Sequence, residues 1–244
     1  PAAGEVISGF EPYEARPQPR SSTQSGNSSV LGTISGNAVL SYTGDMNGDG
    51  RCDILWRDHI TGQVTLWIMG EDGMPALKGP PTLASGMTSG GKPGVTDSLE
   101  WKVRGLHDMD GDNKADLVWQ HAYDGRVVIW RLDGSQAMGI KEYQRGDALN
   151  WRVAGLGDLN GDGSGDIVWR NDANGQVQAW LLDGGDTSYA QRGIAMGAEA
   201  LIWQVKEVGN FCELGRDDVY CKNSGSGAAR IFTLDGREFT PGVE

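Results

Sequence analysis

Asp158-Leu159-Asn160-Gly161-Asp162-Gly163-Ser164-Gly165-Asp166, followed by Ile167-Val168-Trp169, is the stretch that decides the fold. Oxygen-bearing side chains stand at positions 1, 3, 5 and 9 of a nine-residue loop, with glycines that let the backbone curl around a centre. A hard cation that wants roughly six to eight oxygens suits such a loop. Two more copies carry Asp45, Asn47, Asp49 and Asp53, and Asp108, Asp110, Asp112 and Asp116. Position 7, occupied by Arg51, Lys114 and Ser164, can add its backbone carbonyl. The expected cofactor is calcium, one ion in each of the three loops.

An EF-hand also opens with oxygens at alternate positions, but it needs a bidentate Glu at position 12 and a helix afterwards. Position 12 here is Trp56, Trp119 or Trp169, at the end of a strand-like apolar run such as Leu117-Val118-Trp119. Each loop therefore joins two strands. The alternative is an Asp-Gly hairpin turn with no ion. Three aligned copies argue against it, because carboxylates crowded this way repel one another without a cation.

The formal net charge of −12 argues against nucleic acid, whose phosphates demand basic patches. Ten carboxylates belong to the three loops, so three calcium ions would bring the net charge to about −6, ordinary for a soluble protein. No apolar run approaches the roughly 20 residues of a membrane-spanning helix, and Pro1-Ala2-Ala3-Gly4-Glu5 reads as the start of a mature chain rather than a signal peptide. Open calcium loops suit the millimolar calcium outside the cell, so a secreted or cell-surface location is expected.

Residues 1–38 differ from the rest. A Pro-, Ser- and Gly-rich linker over residues 16–29 follows a short apolar strand candidate, Val6-Ile7-Ser8-Gly9-Phe10. Such an arm is either tucked against its own domain or lent to another molecule. Asn27-Ser28-Ser29 is a formal glycosylation sequon.

From residue 36 onward the sequence repeats. Loops begin at Asp45, Asp108, Asp158 and, in a degenerate copy, Asn210, at separations of 63, 50 and 52. All nine tryptophans fall on three repeat-equivalent positions: Trp101, Trp151 and Trp203 seven residues before the loop, Trp56, Trp119 and Trp169 eleven after its start, and Trp67, Trp130 and Trp180 twenty-two after. Each unit reads as four strands, and recurring four-stranded antiparallel sheets are propeller blades. The expected fold is all-β, a four-bladed propeller over residues 39–244 with an extended N-terminal arm. The tryptophans would fill the space between blades, each burying roughly 150–250 Å². An insertion over residues 79–98 is expected on the face opposite the calcium loops.

The fourth unit puts Cys212 and Leu214 at positions 3 and 5 and keeps only Asp218 at position 9, so it should hold no ion. Cys212 and Cys221 are expected to form a disulfide there in place of the metal, the alternative being two free thiols. Cys52 is left single.

The pattern Asp-x-Asn/Asp-x-Asp-Gly-x-x-Asp-Ile-Val-Trp, in units of about 50 residues, resembles the FG-GAP or VCBS repeats of integrin-α-type β-propellers, especially the Trp-rich bacterial extracellular versions. The resemblance spans roughly residues 36–243. It implies calcium in the loop between a blade's first two strands, and roles in adhesion, ligand binding or as accessory modules. Such propellers often have seven or eight blades. Four repeats leave a small closed ring, which is expected, or an open arc completed by another molecule.

No catalytic constellation stands out. His59 and His121 fall in turns between second and third strands, and His107 replaces the glycine before a loop, none with a companion nucleophile at a telling spacing. The expected function is non-enzymatic: a structural or adhesion module that assembles head to tail with copies of itself through its arm. The alternative is a glycan- or protein-binding module, or an accessory domain of a polysaccharide-active enzyme, with Tyr13, Tyr123, Tyr143 and Tyr189 as the aromatics left for a glycan.

Overall fold

The computed structural model describes residues 38–80, 82–83, 99–145, 150–183, 189–194, 200–212, 215–235 and 238–241. The arm of residues 1–37, with its strand candidate, Tyr13 and the sequon, lies outside them. Among the described residues seventeen strands form four sheets. Sheet I holds β1 (Ala38–Gly44), β2 (Asp53–Asp58), β3 (Val64–Met69) and β4 (Pro75–Gly79). Sheet II holds β5 (Thr82–Leu83), β6 (Trp101–His107), β7 (Asp116–His121), β8 (Val127–Asp133) and β9 (Gln136–Tyr143). Sheet III holds β10 (Trp151–Gly157), β11 (Asp166–Asn171), β12 (Val177–Leu182) and β13 (Tyr189–Ile194); sheet IV holds β14 (Trp203–Gly209), β15 (Asp218–Asn223), β16 (Ala229–Asp235) and β17 (Glu238–Pro241). A 3-10 turn, Ala200–Ile202, leads into β14. Within each sheet the repeat strands pair antiparallel in sequence order. No helix among the described residues is long and apolar enough to cross a membrane.

The strand that leads into each loop, β1, β6, β10 or β14, carries the same irregularity. Its register against the strand after the loop slips between Leu40 and Tyr42, Val103 and Gly105, Val153 and Gly155, and Val205 and Glu207. Each slip is a bulge of one extra residue, Ser41, Arg104, Ala154 or Lys206, which adds local twist. In two sheets glycine follows the bulge because the next sheet comes close: a Cβ at Gly105 would lie 2.7 Å from Leu156.

The sheets stack in order, β1 against β6, β6 against β10 and β10 against β14. Three apolar cores fill the three junctions, and in each the residues at the two later tryptophan positions face the preceding sheet. Trp119 and Trp130 meet Leu55 and Leu66; Trp169 and Trp180 meet Val118 and Ile129; Cys221 and Phe232 meet Val168 and Ala179. Strand β11 is buried along its whole length, whereas β2 and β3 alternate because, among the described residues, only one face of sheet I is packed against another sheet. Tyr143, 5% exposed, is part of a core and is not the free aromatic the sequence suggested.

Hydrogen bonds repeat at each junction. A side chain near the end of the second strand reaches the carbonyl of the tryptophan opening the next sheet: Arg57 Nη2 to Trp101 O at 2.6 Å, Gln120 Nε2 to Trp151 O at 2.9 Å, Arg170 Nε to Trp203 O at 3.3 Å. The N–H at position 8 of the following loop donates to the position-1 carbonyl: Ala115 to Asp45, Gly165 to Asp108 and Asp217 to Asp158, at 2.6, 2.8 and 2.6 Å. Among the described residues no packing of comparable extent joins β14 back to β1. The arrangement is a propeller-like succession of four sheets.

Two expectations are corrected. The described piece of the insertion, β5, runs parallel to β9 beside Gln136 and Ala137. That places it next to the β8–β9 turn, whose Gly134 N–H donates to Met46 O in the first loop, so this piece lies at the loop end rather than the opposite one. The Cys212–Cys221 disulfide is absent and all three cysteines are free. Cys221 is buried toward sheet III, where desolvation pushes its thiol up to about 12. Cys212 lies 3.7 Å from Thr233, between Phe232 and Leu234, which both face sheet III, so strand alternation puts the two thiols on opposite faces of sheet IV.

Candidate metal centres

The proposed loops join β1 to β2, β6 to β7 and β10 to β11, and the three share one backbone plan. The position-1 carboxylate accepts N–H groups from positions 4, 5 and 6: Gly48, Asp49 and Gly50 on Asp45; Gly111, Asp112 and Asn113 on Asp108; Gly161, Asp162 and Gly163 on Asp158, all between 2.7 and 3.2 Å. Position 6 is left-handed in every copy, with φ of 81° at Gly50, 64° at Asn113 and 90° at Gly163, a conformation open to glycine and tolerated by asparagine. Position 5 turns back to accept the position-7 N–H: Arg51 on Asp49, Lys114 on Asp112 and Ser164 on Asp162, at 2.9, 2.9 and 2.8 Å.

The second loop gathers its carboxylates most closely. One oxygen from each of Asp108, Asp110 and Asp116 lies within 4.8 Å of the others. Asp110 Oδ1 is buried without a hydrogen-bond partner. Desolvation first, and then the neighbouring charges of Asp110 and Asp112, push Asp116 up to about 8 against the pull of two N–H donors. Burial also raises Asp112. In the first and third loops the position-3 side chain is an amide that donates to position 5: Asn47 Nδ2 to Asp49 Oδ2 at 3.0 Å, and Asn160 Nδ2 to Asp162 Oδ2 at 2.8 Å. The bond from Asn47 is the first cause holding Asp49 below the ordinary carboxylate range.

Cations already attend this acidic end. Lys114 Nζ stands 3.7 Å from Asp112 and 3.2 Å from Asp133, and Arg51 Nη1 lies 3.1 Å from Asp49. Arg131 Nη1 lies 3.1 Å from Asp110 Oδ2. Arg131 was missed by the sequence reading, since it comes from β8, where the other repeats have Ile68, Leu181 and Thr233.

The position-9 aspartates have a second part that spacing did not reveal. Asp53, Asp116 and Asp166 are fully buried, and each holds two backbone N–H groups. Asp53 takes Met46 and Met69, Asp116 takes Met109 and Leu132, and Asp166 takes Leu159 and Leu182, all at 2.8 to 2.9 Å. They tie the loop to the end of the third strand. Asp218 in the degenerate fourth loop is equally buried and accepts Phe211 and Cys212 N–H at 3.2 and 3.0 Å. The framework therefore keeps this aspartate where the oxygen side chains at positions 3 and 5 are gone.

Among the described residues no histidine is seen paired with a nucleophile. His121 Nδ1 lies 2.8 Å from Asp124 and its ring packs on Trp101, His59 is exposed, and His107 lies against Gly165.

No curated protein sequence matches the chain. Among solved structures it is similar to a Bacillus licheniformis rhamnogalacturonan lyase of the type PL11, at 14% identity over 81% of this chain and 47% of that one, with a TM-score of 0.41. It is also similar to the exotype rhamnogalacturonan lyase YesX (13% identity, 81% and 45% covered, TM-score 0.40) and the rhamnogalacturonan lyase YesW (11%, 81% and 47%, TM-score 0.40). The chain thus spans just under half the length of these proteins. Residues 108–169, from the first aspartate of the second loop to the tryptophan after the third, match the family described as FG-GAP-like repeat.

Proposed function

We propose that this chain is a calcium-stapled repeat module of the cell exterior, a structural or adhesion unit without catalysis that joins head to tail with copies of itself. The donor sets are all oxygen, as calcium prefers, and the second loop fits a divalent cation best. An ion there would satisfy the orphaned Asp110 Oδ1 and offset repulsion among three clustered carboxylates. The first ion would be held by Asp45, Asn47, Asp49, Asp53 and the carbonyl of Arg51. The second would be held by Asp108, Asp110, Asp112, Asp116 and the carbonyl of Lys114, and the third by Asp158, Asn160, Asp162, Asp166 and the carbonyl of Ser164. Bound calcium would crosslink each loop and stiffen the strand pair it joins.

The observation that carries the assembly reading is that sheets I and IV expose the two halves of a junction satisfied three times inside the chain. Sheet I turns Ile54, Trp56 and Trp67 outward, half-buried, where Trp119, Trp130, Trp169 and Trp180 are at most 1% exposed. Sheet IV turns Tyr220 and Ile231 outward, at the places where Leu55 and Leu66 face sheet II. Lys222 is exposed where Arg57, Gln120 and Arg170 reach across. The Asn210 carbonyl, counterpart of Asp45, Asp108 and Asp158, takes no hydrogen bond among the described residues. Sheet I of a second copy would complete that set. This route uses the ends of the repeat array in place of the arm.

Light scattering during size exclusion tests it. The calcium-loaded chain should associate with rising concentration, Ile231→Asp or Trp67→Asp should each weaken association, and an equimolar mixture of the two variants should stop at dimers. A monomer at every concentration would overturn assembly and leave the module as a glycan- or protein-binding unit or an accessory domain of a polysaccharide-active enzyme.

A further inference from the structure

At the end of sheets II and III away from the acidic loops lies a cavity of about 340 Å³, lined by Arg104, Gln120, His121, Asn150, Trp151, Arg152 and Asp172 among others. That volume is at the small end of ligand pockets, which run from about 300 to 1,000 Å³. Arg104 is the unusual member. It is the bulged residue of β6, the extra one between Val103 and Gly105, and bulges re-aim side chains toward sites. Its Nε is buried with no hydrogen-bond partner, and among the described residues its guanidinium makes no ion pair. Burial, first of all, holds it below the ordinary arginine range, with Arg152 and Arg57 adding repulsion.

The neighbouring cations are spoken for. Arg152 Nε and Arg170 Nη1 share Asp172 Oδ1, each at 2.9 Å, and Arg170 Nη2 also donates to Leu201 O. Arg57 donates to Trp101 O. Arg104, Arg152 and Arg170 thus gather about Asp172, while Asp124 and Glu100 lie against His121 on the other side, so the arginine side of the cavity carries local positive charge in a chain of net charge −12. At physiological ionic strength charges beyond about 8 Å are largely screened, so the local sign decides what enters. Asn150 adds an exposed side-chain amide with no hydrogen bond among the described residues.

The repeat shows that the fold does not require this arginine. The same bulge is occupied by Ser41 in sheet I and Ala154 in sheet III, and Lys206 in sheet IV is exposed. A guanidinium partly withdrawn from water with its Nε unsatisfied costs stability, and a bound anion would offset that cost.

We propose that this cavity is a binding site for the anionic group, carboxylate or sulfate, of a small hydroxylated molecule of monosaccharide size. Arg104 binds the oxyanion through its planar fork, Arg152 adds charge, and the Asn150 amide and Asp172 meet hydroxyls. The polar lining suits a sugar acid better than a fatty one.

Calorimetric titration of the full chain with glucuronate, glucose 6-sulfate and glucose tests the proposal. Glucuronate or glucose 6-sulfate should bind, the stronger of the two naming the group, and neutral glucose should bind at least about tenfold more weakly. Arg104→Ala, the residue sheet III already carries at this place, should reduce binding about tenfold or more while the melting temperature stays level or rises. Lys206→Ala should change neither. The proposal is overturned if neither anion binds, if glucose binds equally well, or if Arg104→Ala binds like the parent. It is also overturned if Arg104→Ala loses binding only because it melts earlier, since the arginine would then be a framework residue.

Discussion

Asp116 Oδ1 accepts the N–H of Leu132, sixteen residues on, at 2.8 Å, while its other oxygen takes Met109 N–H at 2.9 Å. One buried carboxylate thereby fixes the loop to the far end of the sheet's third strand. Asp218 occupies the same place in the loop without a metal set and holds only that loop's Phe211 and Cys212 N–H groups through Oδ2, so the loop half of the clamp can be tested apart from the ion. Asp218→Ala should destabilise the chain by about 1–3 kcal/mol, because two part-buried N–H groups of the loop lose their acceptor. Asp162→Ala, exposed in its loop, should cost under about 0.5 kcal/mol when calcium is chelated. Urea unfolding in chelator measures both, and equal effects would contradict the clamp.

The junction bonds make a second prediction. Gln120 is 2% exposed, donates to Trp151 O at 2.9 Å and accepts Val153 N–H at 3.1 Å. Gln120→Ala should cost about 2–3 kcal/mol by stranding both backbone groups. Lys222→Ala, at the equivalent but exposed place in sheet IV, should stay within about 0.5 kcal/mol in the monomer. A Gln120→Ala variant as stable as the parent would show that the sheets are held by their apolar cores alone.

Burial sets a pH dependence for the metal-free chain. It pushes Asp116 up to about 8 and Asp166 up to about 7, and raises Asp53. In the unfolded chain these groups titrate near about 3.9. Between those values the folded state keeps protons that the unfolded state has released, so stability falls as pH rises. The slope reaches about 1.4 kcal/mol per pH unit for each protonated group and flattens above about pH 8. Calcium binds the charged form and should reverse the trend by gaining affinity as pH rises. Melting temperatures near pH 5 and near pH 8, with chelator and with calcium, check the sign. A chelated chain that becomes more stable toward pH 8 would contradict it.

Much of this was legible in the sequence, because repetition multiplies weak signals. The tryptophan spacing gave the sheet boundaries, and the later two tryptophan positions prove to face the preceding sheet in every junction. What escaped notice depends on faces and partners rather than spacing. A ligand carboxylate and a clamp carboxylate look alike in sequence, so the second part played by Asp53, Asp116 and Asp166 was hidden. Arg131 reaches Asp110 from 21 residues away, a pairing that only the strand register brings about. The expected disulfide failed on parity: Cys221 stands at a tryptophan position facing sheet III, and nothing in a nine-residue separation places Cys212 on that side.

The central claim is that three loops bind calcium and the fourth does not. Calorimetric titration of calcium into the chelator-treated chain tests it most directly. The account predicts three ions per chain, two after Asp110→Ala or Asp162→Ala, and a melting temperature that climbs with free calcium, by the equivalent of about 2.7 kcal/mol per site at a hundredfold excess over Kd. Absence of calcium heat together with a melting temperature indifferent to chelator would contradict it.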